Sequence, residues 1–188
     1  SRDHTERMLE YFGVELDKNK LYTCIKPGQT IEARDIKIPG DFSSAAFFIV
    51  GSLITPNSDL LIHNVGINPT RIGLLNVLKD MGANIELHNQ RTFSGEPVAD
   101  IYVTHSNLKG ITIQGEIIPT LIDEIPILAV AALYAKGDTV IRDAKELRIK
   151  ETDRITALVS ELSKIGGSIT ALNDGLIILT SSISSSGC

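Results

Sequence analysis

LKDMGANI, at residues 78–85, recurs in altered form as LSKIGGSI, at residues 162–169. In both stretches a leucine stands four residues before a glycine, and an isoleucine follows that glycine after two residues. A glycine directly after an amphipathic pattern is typical of the end of a helix, and the isoleucine begins a strand-like segment. The same junction therefore occurs twice, which predicts an internal repeat of roughly 75–85 residues.

The elements predicted on either side of this junction follow one order in both copies: strand, helix, strand, helix, strand, strand. The first copy has strands at 36–38, 60–62, 83–87 and 100–104, with helices at 43–54 and 69–81. The second has strands at 111–113, 139–141, 168–171 and 176–180, with helices at 123–135 and 155–165. A βαβαββ unit with one apolar and one amphipathic helix indicates a four-stranded mixed sheet with buried helices, so the predicted fold class is α+β (mixed α/β).

The remaining parts of the chain indicate a piece of a longer protein. Residues 1–31 read as the last helix and two strands of a further unit, with Cys24 as a buried strand residue. Residues 181–188 read as a low-complexity tail.

Composition excludes several classes of function. The 188 residues are 43% hydrophobic and 22% charged, with a net charge of −5, so no global basic field attracts nucleic acid. The longest apolar runs are too short to cross a bilayer, and neither the cysteines nor the histidines have metal-ligand spacing. No signal peptide is evident, and the predicted compartment is the cytoplasm.

The segment LRIKETDR, residues 147–154, is the main concentration of charge. If it opens a helix, Lys150, Glu151 and Arg154 lie within about 100° of one another, and Glu151 points toward the packed side with Ile155. Burying an unpaired carboxylate is costly, so a carboxylate at this position needs either a partner or a functional role. The alternative, which the charge pattern alone favours, is a solvated first turn of ion pairs. Asp153 is predicted to be structural and to pair with Lys150 or Arg148 on the same helix.

Two aspartates precede the apolar helices of the two repeats. Asp41 is predicted to cap the helix at 43–54, and Asp123 is a natural N-cap before Pro126, unless it has a chemical role. Glu124 is predicted to face solvent. Arg71, with Asn68, is interpreted as part of an ordinary helix start.

The motifs together resemble those of the EPSP synthase family. RIKETDR (residues 148–154) is similar to the family's Arg-Val-Lys-Glu-[Ser/Thr]-Asp-Arg signature, and LIDEIPILA (121–129) to the stretch around its catalytic aspartate. IPGDFSSA (38–45) resembles the crossover into the family's second domain. RDHTE (2–6) and NPTR (68–71) resemble the class II branch.

The resemblance implies a fold of two domains, each with three βαβαββ units. Residues 1–35 are then the end of the first domain, residues 36–180 are two units of the second, and 181–188 are a tail. The family's Gly-Asp-Lys-Ser, Ser-Ala-Gln and Asp-His-Arg motifs do not occur in the sequence. The resemblance therefore implies an incomplete fold, an isolated chain that is inactive, and missing segments of the same enzyme as its partners.

The implied reaction transfers the enolpyruvyl group of phosphoenolpyruvate to the 5-hydroxyl of shikimate 3-phosphate and releases phosphate. By position, Arg154 grips phosphoenolpyruvate, Lys150 lies between the two substrates, and Glu151 handles the proton at the methylene carbon. Asp123 faces the shikimate hydroxyl as base or anchor, and Arg2 contacts the shikimate phosphate. Asp123, Glu151 and Lys150 are the implied catalytic residues, and the sequence leaves open how they divide the proton transfers. The resemblance implies no cofactor and no metal.

Two other functions compete with this interpretation. One is the related enolpyruvyl transfer to UDP-N-acetylglucosamine, which shares the fold but is disfavoured by the KETDR run. The other is a non-catalytic half-domain that binds anions weakly.

Overall fold

The computed structural model describes residues 2–19 and 21–181, which form helices and three separate β-sheets. The chain begins with α1 (His4–Tyr11) and an antiparallel hairpin of β1 (Leu16–Lys18) and β2 (Thr23–Ile25). Cys24 is exposed, so the prediction that it is buried is wrong. All three residues of β2 are exposed.

The first repeat forms a unit of two helices and three strands. Its elements are α2 (Phe42–Ile54), β3 (Asp59–Gly66), α3 (Gly73–Asp80), β4 (Asn84–Phe93) and β5 (Glu96–Thr104). The strand order is β3-β5-β4, and both pairings are antiparallel. Asp41 caps α2 as predicted, because its carboxylate accepts a hydrogen bond of 2.8 Å from the backbone N–H of Ser44.

The predicted fourth strand of this unit, at residues 36–38, is wrong. Only Gly40 pairs with the sheet, through a parallel bridge to Val65. Pro39 has no N–H to donate, and the N–H of Lys37 is taken by the Ser94 hydroxyl at 2.8 Å. A bulge in β3 between residues 62 and 65 also removes the regular partners that a longer strand would need.

The second repeat forms the predicted four-stranded mixed sheet. Its elements are β6 (Thr112–Ile113), α4 (Ile125–Leu133), β7 (Thr139–Ile141), α5 (Arg154–Lys164), β8 (Ser168–Leu172) and β9 (Gly175–Leu179). The strand order is β6-β7-β9-β8, with β6 and β7 parallel and the other pairs antiparallel. Short 3₁₀ helices at Gly115–Thr120 and Lys145–Ile149 precede α4 and α5.

Two helices, α3 and α4, begin later than the sequence pattern predicts. α3 begins at Gly73 because the side chain of Asn68 accepts a hydrogen bond from the Thr70 N–H and holds the preceding residues in a turn. α4 begins at Ile125 after a turn in which the Glu124 N–H donates to the Leu121 carbonyl. α5 begins at Arg154, so most of the charged segment lies outside the helix.

The apolar helices α2 and α4 pack against each other and join the two repeats into one hydrophobic core. Ala46 of α2 and Ala129 and Ala132 of α4 are fully buried, and their small side chains permit close helix contact. This confirms the predicted buried helices. The domain boundaries at 35/36 and 180/181 stay predictions, and the tail beyond residue 181 lies outside the described residues. Within the described chain, no helix has the length and apolarity to cross a membrane.

Candidate active site

Asp123 is the centre of a charged cluster at one end of the packed helices. It lies two residues before α4, and its side chain keeps 29% of its exposure. The N-cap position of α4 belongs to Glu124, which makes no side-chain capping hydrogen bond. The interpretation of Asp123 as a helix cap is therefore wrong, and its carboxylate contacts cationic side chains instead.

Four cations surround this carboxylate. Arg2 donates a hydrogen bond to Oδ2, and Nη1 of Arg71 lies 3.8 Å from the same oxygen. On the other oxygen, Oδ1, Nζ of Lys150 and Nη1 of Arg154 each lie 3.7 Å away. Arg2, Lys150 and Arg154, which were predicted as substrate ligands, are thus brought together with Asp123 from three distant parts of the sequence.

The cluster forms where the N-termini of four helices meet. Arg154 is the first residue of α5, Ser43 is the second residue of α2, and Arg71 and Asp123 each precede a helix by two residues. A helix N-terminus carries about half a positive charge and presents unpaired backbone N–H groups. Helix ends and side chains therefore add to one local positive potential, although the whole chain carries a net negative charge.

Two exposed carboxylates pair with the outer cations. Glu146 lies 2.7 Å from Lys150, and Glu151 lies 2.9 Å from Arg154. The side chains of these glutamates are 55% and 79% exposed, and ion pairs of this kind contribute little to stability. Small polyanions can displace them at low cost, so the cluster is suited to binding phosphate and carboxylate groups.

The protonation states in the cluster follow from these contacts. Burial raises the pKa of Asp123, but the hydrogen bond from Arg2 and the charges of Arg2, Lys150 and Arg154 outweigh it and hold the pKa below its usual value. The hydrogen bond to Glu146 raises the pKa of Lys150, with a further contribution from Asp123. Both groups are therefore charged at neutral pH.

The structure corrects the predicted placement of Glu151. This residue lies in the turn before α5, with an exposed side chain, and does not share a helix face with Ile155. A hydrogen bond from its own backbone N–H, followed by the contact with Arg154, lowers the pKa of its carboxyl. Asp153 is structural as predicted, because its carboxylate caps α5 at the Thr156 N–H and accepts a hydrogen bond of 2.8 Å from Arg148.

Three residues of the site were missed at the sequence level: Ser43, Arg71 and Glu124. Glu124 is 3% exposed, so the prediction that it faces solvent is wrong. Burial raises the pKa of its carboxyl, and the Ser43 hydroxyl donates a hydrogen bond of 2.5 Å to it. Arg71 in turn donates a hydrogen bond of 2.7 Å to the oxygen of Ser43.

The repeat itself contains the signal that would have identified Arg71. Gly82 of the first copy corresponds to Gly166 of the second. When the two copies are aligned on these glycines, Arg71 corresponds to residue 155, which is next to Arg154. Arg71 therefore occupies, in the first unit, nearly the place that Arg154 occupies in the second.

A comparison of the sequence with known families and proteins gives a consistent result. The profile described as EPSP synthase (3-phosphoshikimate 1-carboxyvinyltransferase) matches residues 1–188. A protein of Brevibacillus brevis named 3-phosphoshikimate 1-carboxyvinyltransferase is 57% identical over 178 residues, which cover 95% of this chain. A protein of the same name from Geobacter sulfurreducens is 53% identical over 178 residues. The chain spans 42% of the length of each of these two relatives.

Solved structures show the same similarity. EPSP synthase from Acinetobacter baumannii superimposes with a TM-score of 0.92 at 44% identity, over 96% of this chain and 41% of that one. The enolpyruvyl transferase NikO from Streptomyces tendae superimposes with a TM-score of 0.66 at 16% identity, over 91% of this chain and 38% of that one. The second match shows a shared fold alone.

Proposed function

The chain belongs to the EPSP synthase family, and from this premise we propose that it forms one wall of the site that transfers an enolpyruvyl group from phosphoenolpyruvate to shikimate 3-phosphate. The observation that carries the proposal is the group of four cations around Asp123 at the ends of four helices. Both substrates are small polyanions, and such ligands need fixed cations and helix N-termini.

The reaction requires three proton transfers in two steps. The shikimate 5-hydroxyl adds to the vinyl carbon that bears phosphate, the hydroxyl proton goes to a base, and the methylene carbon takes up a proton. In the second step a proton leaves the new methyl group, the double bond re-forms, and the C–O bond to phosphate breaks. No electrons are exchanged with an outside donor, so general acid–base groups and fixed charges are sufficient.

We assign Asp123 to the shikimate hydroxyl and Glu151 to the methylene carbon. A carboxylate with a lowered pKa is ionised at neutral pH, which suits a hydrogen-bond acceptor. The exposure of Glu151 supports access to a substrate that lies above the cluster. Substrate would also remove water from Glu151 on binding, which raises the pKa of a carboxyl toward the range useful for proton transfer.

Lys150 and Arg154 share one oxygen of Asp123, and we assign both to substrate anions. Arg154 offers a planar fork that fits the carboxylate or phosphate of phosphoenolpyruvate. Lys150 carries a compact charge on a flexible stem and is suited to the position between the two substrates. Arg2, which approaches Asp123 from the segment before the first unit, is assigned to the shikimate phosphate.

The opposite wall of the cleft is proposed to come from the part of the family's fold outside the matched region. The relatives are more than twice as long as this chain, and one cationic wall leaves a bound polyanion open to water on its other side. The isolated 188-residue chain is therefore expected to be inactive. The cytoplasm stays the predicted compartment.

The test is a chimaera in which this chain replaces the matching segment of the Brevibacillus brevis relative. We expect it to release phosphate from phosphoenolpyruvate only when shikimate 3-phosphate is present, whereas the 188-residue chain alone releases none. Lys150→Met should lower kcat/KM by about 100-fold or more, the usual contribution of a group that acts on the reacting atoms. Lys145→Met is the matched control, since Lys145 is exposed on the 3₁₀ helix that directly precedes Lys150.

Two outcomes would contradict the proposal. Turnover with UDP-N-acetylglucosamine in place of shikimate 3-phosphate would assign the site to the related transfer. A chimaera that folds and binds phosphate but turns over neither acceptor would leave the non-catalytic anion-binding role.

A further inference from the structure

Asp123 divides the cations of the site into two pairs. Oδ2 faces Arg2 and Arg71, whereas Oδ1 faces Lys150 and Arg154. The proposed function assigns Arg154 to phosphoenolpyruvate and Arg2 to shikimate 3-phosphate, but leaves Arg71 without a role. Its place beside Arg2 puts Arg71 on the shikimate side of the carboxylate.

The guanidinium of Arg71 contacts two residues that belong to different repeats. Its Nη2 donates to the hydroxyl of Ser43 in α2 and lies 3.6 Å from the carboxylate of Glu124, which precedes α4. The Ser43 hydroxyl bridges the two charged groups, because it also donates to Glu124. Glu124 is 3% exposed, so this support is rigid and shielded from water.

The guanidinium of Arg71 keeps donors that the described residues do not use. A guanidinium has five N–H donors, and the bond to Ser43 is its one hydrogen bond to a described residue. Nη1 points toward Asp123 at 3.8 Å, too far for a hydrogen bond. A part-buried cation with unused donors gains from an anion that supplies oxygens to them.

A purely structural role is the competing explanation. In that case Arg71 only neutralises Glu124 and ties the two repeats together. Arg71 also borders a cavity of about 390 Å³ whose walls include Met8, Ile36 and Phe93. Those walls are mostly apolar and suit a phosphate poorly, whereas the edge toward Asp123 already has a second arginine.

We infer that Arg71 is a further substrate-binding residue, which holds the shikimate 3-phosphate anion together with Arg2, and that Glu124 and Ser43 position it. The inference rests on the proposed function for the identity of the ligand. Because Arg71 lies beside Arg2, the binding of shikimate 3-phosphate should depend on this arginine more than the binding of phosphoenolpyruvate does.

Kinetics of the chimaera described above test this difference. Arg71→Gln should raise KM for shikimate 3-phosphate about 10-fold or more, the usual contribution of one charge-assisted hydrogen bond, and change KM for phosphoenolpyruvate less than about 3-fold. Lys79→Gln is the matched control, because it removes an exposed cation from the other end of α3. Melting curves establish that each variant is folded.

A double-mutant cycle tests the positioning role of Glu124. Glu124→Gln should raise KM for shikimate 3-phosphate about 2- to 10-fold in the wild-type background and should have no further effect when Arg71 is already glutamine. A residue with only a structural role would act equally in both backgrounds. Equal effects in the two backgrounds would overturn the assignment of Glu124.

Arginine side-chain NMR of the 188-residue chain separates this inference from the proposed function. Titration with shikimate 3-phosphate should shift the Nε–H signal of Arg71, and titration with phosphoenolpyruvate should shift that of Arg154 more strongly. An inactive chimaera with these shifts would overturn the proposed reaction and retain the Arg71 site. An Arg71 signal that responds equally to both ligands, or to neither, would overturn the inference.

Discussion

Replacing Asp123 by asparagine removes the one carboxylate that faces all four cations of the site. The two side chains have nearly the same shape, so packing against α4 is kept and the change is electrostatic. Three of the cations lie 3.7–3.8 Å from the carboxylate, and Arg2 donates directly to it. Without the negative charge of Asp123, nothing at this position offsets the repulsion among the four cations.

The magnitude follows from Coulomb's law with solvent screening. Unit charges about 4 Å apart attract by about 1 kcal/mol in water and about 4 kcal/mol at a dielectric constant of 20. The side chains involved keep between 14% and 40% of their exposure, so the lower value applies to each pair. Desolvation of the carboxylate cancels part of the sum, and the net loss of unfolding free energy is about 1–2 kcal/mol.

Thermal melting of the 188-residue chain measures this loss. For a chain of this size 1 kcal/mol corresponds to about 2–4 °C, so Asp123→Asn should lower Tm by about 2–8 °C at pH 7 and low salt. The folded-state pKa of Asp123 is below its unfolded value of 3.8, so its contribution is complete above that pH and is lost as pH falls through the folded-state pKa. The difference in Tm should therefore disappear in acid.

Inorganic phosphate gives a second measurement on the same variant. Phosphate replaces the missing negative charge, and a ligand that binds only the folded state raises Tm. It should stabilise Asp123→Asn more than the wild type. Asp17→Asn, at an exposed position on β1, is the control and should change neither Tm nor its response to phosphate. A variant at least as stable as the wild type and indifferent to phosphate would refute the reasoning.

The remaining predictions concern the sheets and the central helix. Asp100→Asn should lower Tm at pH 7, because the hydrogen bond from Arg91, with others from its neighbours, holds the pKa of Asp100 well below the unfolded value of 3.8. The difference in Tm from the wild type should shrink as pH falls below about 4, and a difference that grows in acid would contradict this. Gly175→Ala should lower the unfolding free energy by about 3 kcal/mol in a denaturant titration, because the new Cβ would lie 1.9 Å from the Ile141 carbonyl oxygen. Gly51→Ala, in the open part of α2, is its control and should raise the unfolding free energy by up to about 1 kcal/mol; equal effects at the two glycines would contradict the packing.

Short-range patterns predicted most of the secondary structure. The helix ends at Gly82 and Gly166, the apolar helices and the individual strands of the second sheet all follow from periodicity and turn residues within about 15 positions. The strand at 36–38 was mispredicted for a non-local reason: its partner β3 carries a bulge and the Lys37 N–H is held by Ser94. Neither cause can be read from the three residues themselves.

For the candidate site, too, the sequence identified some residues correctly and misplaced others. Asp123, Lys150, Arg154 and Arg2 were identified from motifs, and the structure brings them together. Glu151 was assigned to a helix face that does not exist, because Asp153 caps α5 and leaves Glu151 in the preceding turn. Several residues before α5 have side chains that can cap a helix, and the position at which the helix begins is known only from the folded chain.

By itself, the sequence determined the repeat, the type of each element and the residues with the chemistry for binding anions, because these depend on neighbours along the chain. Only the tertiary structure decided that Ser43 and Glu124 join the site, because they come from different repeats and meet only when α2 packs against α4. That contact also buries the carboxylate of Glu124. The repeat by itself would have indicated Arg71. Burial and through-space distance set the charge state and the reach of each group, and neither quantity is local in sequence.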